Sequence, residues 1–461
     1  MDHIHLIGIG GSGLSAIARL LIESGYIVSG SDQIHSPLTD ELMTLGIKVS
    51  IGHDALNVSN ADLVIRSSAI PDDNPEILAS LRQDIPVYKR SEFLADFIKD
   101  QLSIAISGTH GKTTTTAMIA WTLMKMGHDP SFIIGGVSKN LKYNAHAGKS
   151  KLFVIEADEY DRMFLGLKPD IMVLTNIDYD HPDYFLSQED YYEAFNEFIR
   201  QVEPDGKILI YQEDERAVQL SKHAHKTCKV FTYGPEHPAD YQAVNLEMDA
   251  NGNYSFDATF QPENQNQEIL VGIHLQIPGL HNVHNALATI GVIHQLGLPV
   301  KDAGSALEKF MGTERRFDIL GEFQGVTLID DYAHHPTEIR ITLEAARNRF
   351  PDNNIRVVWQ PHTFSRSKTF FDDFRTVFEA ADELIVTEIF AAREKEEDFS
   401  SSSLVENIQH EAKFFIPRLD EVITFLLPRL HAGDVVIVLS AGDATRINKT
   451  LSMHLENIKA A

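Results

Sequence analysis

Cysteine is nearly absent: Cys228 stands alone among 461 residues, so no intrachain disulfide can form, and a reducing compartment fits. Basic side chains are also scarce, 40 Lys and Arg against 66 Asp and Glu, for a formal charge of −26. That balance favours solubility and argues against a nucleic-acid or anionic-membrane surface, so phosphate ligands would need local devices such as helix N-termini, a few cations and Mg²⁺. No uninterrupted apolar run approaches the roughly 18 residues of a spanning helix. The start, MDHIHLIGIGGSG, lacks the basic residues and long apolar stretch of a signal peptide. The expectation is a cytoplasmic protein with no membrane insertion. What remains is ordinary globular composition, 43% hydrophobic and 23% charged, on a chain long enough for two or three domains.

Short apolar runs alternate with segments of helical period nearly from end to end, the pattern of parallel α/β units. His3–Ile7 reads as a buried strand, then a glycine turn, a helix from about Ser12 to Ser24, and a strand Tyr26–Ser29 leading to Asp32. Leu63–Ile65 is a further strand with Ser67 in its exit loop. A second series opens at Leu102–Ser107, feeds the loop GTHGKTTTT and continues as a helix to about Met126, with Gly127 as its stop. Leu152–Ile155 and Ile171–Thr175 are apolar runs that discharge into acids. From about Tyr233 to Ile277 the texture turns alternating and polar, which predicts an antiparallel insertion or edge. A third series begins near Gly312, with strands at Val326–Ile329, Arg356–Trp359, Glu383–Thr387 and Val435–Leu439. The reading is three α/β domains: a Rossmann-like one over 1–99, a central P-loop ATPase-type parallel sheet over 100–312, and a second Rossmann-like one over 313–461.

Gly8-Ile9-Gly10-Gly11-Ser12-Gly13 satisfies GxGxxG between a strand and a helix, with Asp32 ending the next strand. Small residues there let backbone amides approach a pyrophosphate, and the acid can bond a ribose hydroxyl. The turn suits a nicotinamide or flavin enzyme, a UDP-linked compound, or no ligand at all. Gly108-Thr109-His110-Gly111-Lys112-Thr113-Thr114 is the sharper signal. Its amides can cradle oxyanions, Lys112 can reach the β and γ phosphates, and the Thr113 hydroxyl can ligate Mg²⁺. Ile106 stands where the general GxxxxGK[ST] pattern has glycine, so the loop is a shorter variant.

Glu156 and His181 sit just past strand ends, where a carboxylate and an imidazole could hold a second Mg²⁺. Of the neighbouring acids, Asp158, Glu159, Asp161, Asp178 and Asp180, most are expected to be solvated. Asn282 and Asn285 open a helix and either read a polar group or cap it. Arg315-Arg316, Asp330-Asp331, His334-His335, His362 and Arg366 belong to the third series. Arg366 could clamp a carboxylate or phosphate. The histidines lack cysteine neighbours and HExxH spacing, which disfavours zinc.

In order, a glycine turn, GTHGKTTTT, EADE, NIDYDH, HNVHNALA, RRFD, DDYAHHP and QPHTFSR run along essentially the whole chain. The set resembles the Mur ligases of peptidoglycan synthesis, which implies a UDP-sugar domain, a central ATPase and a C-terminal domain that closes over ATP and an amino acid. By that resemblance Gly10, Gly11, Ser12, Gly13, Asp32 and Ser67 serve the UDP-sugar. Gly108 to Thr114, Asn282, Asn285, Arg316, Asp330 and Asp331 serve ATP. Thr113, Glu156 and His181 hold metal, two Mg²⁺ being expected, and Lys112, Glu156, His181 and Arg316 carry the chemistry. His335 and Arg366 meet the amino acid. No lysine lies between Lys168 and Lys207, where branches adding later amino acids carry a modified one; this favours the alanine-adding branch. Thr363 replaces an arginine common in the family. The implied reaction joins L-alanine to the lactyl carboxylate of UDP-N-acetylmuramate through an acyl phosphate, giving ADP and phosphate. Three alternatives stay open: a ligase recycling a muramyl tripeptide, a nicotinamide oxidoreductase built on the glycine turn, and a UDP-sugar sensor with a degenerate ATPase.

Overall fold

In the computed structural model, which describes residues 2–260 and 268–457, three sheets follow one another along the chain. The first has five parallel strands in the order Lys48–Ile51, Ile27–Asp32, His3–Ile7, Leu63–Arg66, Val87–Lys89. Strand order reverses beside His3–Ile7, and in doubly wound sheets ligands bind in the crevice at that reversal. The glycine turn leaves one of the two strands that frame it and Ser67 the other, with the Ser67 amide donating to Ile7 O at 3.1 Å.

The central sheet is parallel through Lys229–Gly234, Lys207–Tyr211, Ile171–Leu174, Leu102–Ser107, Leu152–Glu156 and Ser131–Ile133, in that spatial order. Helices cover both faces, which is why these strands read as unbroken apolar runs. Leu102–Ser107 lies between Ile171–Leu174 and Leu152–Glu156, so the phosphate loop and both acid-bearing exits leave neighbouring strands at one edge. The expected antiparallel addition is present: Tyr241–Met248, Asn253–Phe260 and Glu268–Pro278 form a meander on the edge beyond Lys229–Gly234. Residues 261–267 of that stretch lie outside the described residues. The helix Lys112–Lys125 ends where expected, with Gly127 at φ +82°.

The third sheet runs Asp318–Phe323, Val326–Asp331, Val435–Leu439, Ile355–Trp359, Glu383–Val386, Lys413–Phe415, with only the first strand antiparallel to its neighbour. Residues at the C-terminal ends of its strands bond residues at the same edge of the central sheet, and the principal site lies between them.

Candidate active site at the junction of the sheets

The phosphate loop is pressed against the neighbouring strand exit. Gly108 has φ +129°, and a side chain there would fall 2.1 Å from Thr175 Oγ1. The loop is pinned by the Thr109 amide donating to Asn176 O at 2.9 Å, the His110 amide to Asn176 Oδ1 at 2.9 Å, and Thr109 Oγ1 to Asp178 O at 2.7 Å. Lys112 folds back over it, donating to Gly108 O at 2.6 Å, Thr109 O at 2.9 Å and Glu159 Oε1 at 3.0 Å. Burial works against its charge, but Glu159 and Asp158 outweigh burial and raise its pKa. The result is a fixed ammonium at the mouth of a helix N-terminus, where an oxyanion is favoured.

Thr113 Oγ1 donates to Glu156 Oε1 at 2.9 Å, and Glu156 Oε2 accepts from the Gly135 amide at 2.5 Å. Burial raises the pKa of Glu156 despite Lys112 nearby. The carboxylates nearest His181 are Glu159 at 3.6 Å and Asp180 at 3.8 Å, so His181 groups with Asp158 and Glu159 rather than with Glu156. Its Nδ1 is buried with no protein partner. The Thr113 hydroxyl with the Glu156 carboxylate, and separately the His181 imidazole with Asp158 and Glu159, are donors of kinds that would fit Mg²⁺. Of the five nearby acids, Asp158, Asp161 and Asp178 keep contact with solvent, whereas two do not. Glu159 and Asp180 are buried, because Lys112 and Arg366 neutralise them.

A cavity of about 770 Å³ extends from Gly111, Thr113 and Thr114 between the central and C-terminal units. Asn282 and Asn285 lie in its wall in a chain of bonds: Thr115 Oγ1 donates to Asn285 Oδ1, Asn285 Nδ2 to Asn282 Oδ1, and Asn282 Nδ2 to Pro278 O. Tyr211 and His284 stack in the same wall with ring centroids 4.6 Å apart. Arg316, Asp331 and Glu338 enter from the C-terminal unit. Asp330 does not line the cavity. Side chains alternate along a strand, so it points away and accepts from Asn448 Nδ2 at 2.6 Å. Burial raises both Asp330 and Asp331 to about 6.

In the N-terminal crevice Asp32, expected to serve the UDP-sugar, accepts from the Gly10 amide through Oδ2 at 2.8 Å and so braces the glycine turn. A side chain on Gly13 would lie 1.8 Å from Nη1 of Arg90, a residue that sequence reasoning missed. Ser12, Gly13 and Arg90 share a small cleft with Gly135, Glu156 and Asp158. That cleft joins the glycine turn to the acid beside the phosphate loop.

His335 and Arg366 are placed differently from expectation. His335 caps the helix Pro336–Arg349, with Nδ1 accepting from the Thr337 amide at 3.3 Å and Nε2 donating to Tyr179 O at 3.1 Å. Both nitrogens are committed to docking the C-terminal unit, so a direct contact with an amino acid is not available to His335 in this geometry. Arg366, 2% exposed, donates from Nε at 2.9 Å and Nη2 at 2.7 Å to Asp180 Oδ1. Its Nη1 bonds His362 Nδ1 at 2.8 Å and His362 O at 3.5 Å, leaving one N–H on Nη2. Burial pushes His334 down to about 3 and His362 to about 2, so both are neutral walls around that guanidinium. Neither joins any group of three metal-ligating side chains among the described residues. Thr363, the departure from the family pattern, is buried at φ +64° and caps the helix Phe364–Thr369.

A triphosphate-type loop under a large interdomain cavity, with a separate glycine-turn crevice opening toward the same acid, defines a three-domain nucleotide-dependent enzyme. Three family models match in sequence: the Mur ligase family catalytic domain over residues 3–101, the Mur ligase middle domain over 106–293, and the Mur ligase glutamate ligase domain over 315–442. The chain is 40% identical over 451 residues to the UDP-N-acetylmuramate–L-alanine ligase of Clostridium botulinum (strain Okra), covering 97% of this chain and 96% of that one. It is 39% identical over 450 residues, with the same coverage, to the enzyme so named in Clostridium acetobutylicum. Among solved structures, the UDP-N-acetylmuramate-alanine ligase MurC of Thermotoga maritima superposes with a TM-score of 0.82 at 28% identity, covering 99% of this chain and all of that one. A murein peptide ligase of Psychrobacter arcticus gives 0.74 at 25%, covering 99% of each. The chain belongs to the Mur ligase family.

Proposed function

We propose that this protein joins L-alanine to the lactyl carboxylate of UDP-N-acetylmuramate, at the expense of ATP, in peptidoglycan precursor synthesis in the cytoplasm. The observation that carries the reading is the cleft in which Gly13 and Arg90 of the crevice meet Glu156 of the phosphate site. A diphosphate-linked substrate lying over the turn reaches the γ-phosphate through it. In this scheme residues 1–99 hold the UDP-sugar, 100–312 hold ATP, and 313–461 close over both with the amino acid. The names of the full-length relatives support the same choice of substrates.

ATP phosphorylates the carboxylate to an acyl phosphate. The amine of L-alanine attacks its carbonyl, the C–O bond to phosphate breaks, and an amide, ADP and phosphate leave. Lys112 stays protonated and offsets charge on the moving phosphoryl group, with Arg316 in the cavity wall as a second source of positive charge. Mg²⁺ held by Thr113 and Glu156, and a second ion held by His181, would supply further charge neutralisation. Arg366 presents its remaining N–H to the amino-acid carboxylate, with neutral His334 and His362 beside it.

Phosphate release is measured with UDP-N-acetylmuramate, ATP and Mg²⁺ against L-alanine, glycine, L-serine and a muramyl tripeptide side chain. L-Alanine is expected to give the highest kcat/KM. Preference for the tripeptide moves the protein to the recycling branch, and no turnover with any acceptor removes the ligase reading.

A further inference from the structure

No assignment above gives Glu338 a task, although it lines the nucleotide cavity and joins two units of the chain. It lies in the first turn of the helix Pro336–Arg349, and its Oε1 meets His110 Nδ1 at 3.2 Å and Arg316 Nη1 at 3.4 Å. His110, inside the phosphate loop, meets Asp178 Oδ2 through its other nitrogen at 3.2 Å. One imidazole is thus held between two carboxylates, one from its own unit and one from the C-terminal unit.

We propose that Glu338 is a positioning residue that, on docking of the C-terminal unit, fixes His110 as a second cation beside Lys112 and aims Arg316 at the same phosphates. This builds on the ligase reading by naming how closure completes the phosphate site. A neutral imidazole has one nitrogen that only accepts, and that nitrogen would face a carboxylate lone pair. Bonding acids on both sides therefore requires both nitrogens to carry protons. Burial opposes the charge on His110, but the bonds to Asp178 and Glu338 outweigh it and raise its pKa to about 9.

The other groups facing His110 fit this state. Asp178 also accepts from Thr337 Oγ1 at 2.7 Å and is pulled down to about 2 against burial, chiefly by His110. His335, its ring 4.9 Å away, is pushed down by burial and by His110 itself, so it adds no competing charge. Burial works to raise Glu338, but His110 and Arg316, with the His334 amide donating to Oε2 at 3.3 Å, outweigh it and keep the carboxylate ionised. Two carboxylates beside a nucleotide would repel it; the shared imidazolium together with Arg316 on Glu338 offsets both charges. Undocking withdraws Glu338, and the charge on His110 then rests on Asp178 alone.

Glu338→Gln, His110→Asn and the double variant, in the full chain, test this. For the wild type, kcat/KM for ATP and ADP affinity by calorimetry are expected to fall through a pKa of about 9. In Glu338→Gln the fall comes roughly one pH unit earlier, with kcat/KM for ATP lowered about ten-fold near pH 8. The double variant should be no worse than the weaker single, because the two residues act together. Glu338→Asp is expected to restore part of the loss. An unmoved alkaline limb with additive single effects overturns the proposal. So does a lower melting temperature with unchanged pH profiles, which makes Glu338 a helix-capping residue only. The ADP arm needs no acceptor substrate, so failure of the ligase reading leaves it interpretable.

Discussion

Replacing Asp180 with Asn removes the only carboxylate among the described residues that is bonded to Arg366, while keeping the shape of the side chain. The guanidinium is 2% exposed and Asp180 5%, so the charge left behind has little access to water. Leaving one member of a buried pair alone costs about 3–5 kcal/mol. The two residues belong to different units, and the strain can be relieved by undocking rather than unfolding. Taken at about 3 kcal/mol, the ratio of docked to undocked molecules falls on the order of a hundred-fold. Small-angle X-ray scattering should then show a larger radius of gyration for Asp180→Asn, and limited proteolysis should show faster cleavage between the central and C-terminal units. The double variant Asp180→Leu/Arg366→Met removes both charges and should dock better than either Asp180→Asn or Arg366→Met. Were the double variant to show the sum of the two single losses, or were Asp180→Asn to dock like the wild type, the buried-pair reasoning would be refuted.

Lys112→Ala is expected to keep the fold and to lose nearly all phosphate release with both substrates present; near-wild-type ADP formation would remove the phosphate-loop assignment. Gly13→Ala puts a methyl group into Arg90 and should raise KM for the UDP-sugar several-fold with KM for ATP little changed, as read by initial rates. Glu76 is held at about 2 against burial by His5, Asn57 and Ser31. Its folded pKa lies below its unfolded one of about 4.3, so the stability it contributes is complete above that value and is lost as pH falls toward 2. Glu76→Gln should therefore lower the melting temperature of the N-terminal unit near pH 7 and flatten its decline between those two pH values.

The long buried strands were legible because helices on both faces leave no polar positions in them: IMVL and VVIVL speak for themselves. Lys48–Ile51, Val87–Lys89 and Lys413–Phe415 were not legible. They are short and lie at sheet edges, where a few residues carry no period. The phosphate loop could be read because its chemistry is local. Arg90 could not, since it follows one of those missed strands and acts on a turn far away in sequence. Arg366 and His335 stood out in the sequence, but their contacts within the protein did not. Their partners, Asp180 and Tyr179, lie more than 150 positions away and reach them only through domain docking. Asp330 and Asp331 were indistinguishable in sequence, and strand alternation separates them.

The C-terminal unit holds the segment after Ile171–Leu174 at several successive points. Thr337 bonds Asp178, His335 bonds Tyr179 O, Arg366 bonds Asp180, and Arg393 Nε bonds Asp183 at 2.8 Å. His181 is carried between the last two. Contacts on four residues within a stretch of six cannot be released independently by a rigid body turning away. The grip behaves like a latch with two positions, so closing and the final placement of His181 are a single event. Product escape then has to wait for every one of those bonds to yield together, and the turnover rate becomes sensitive to any residue in the latch, however remote from the bond being made.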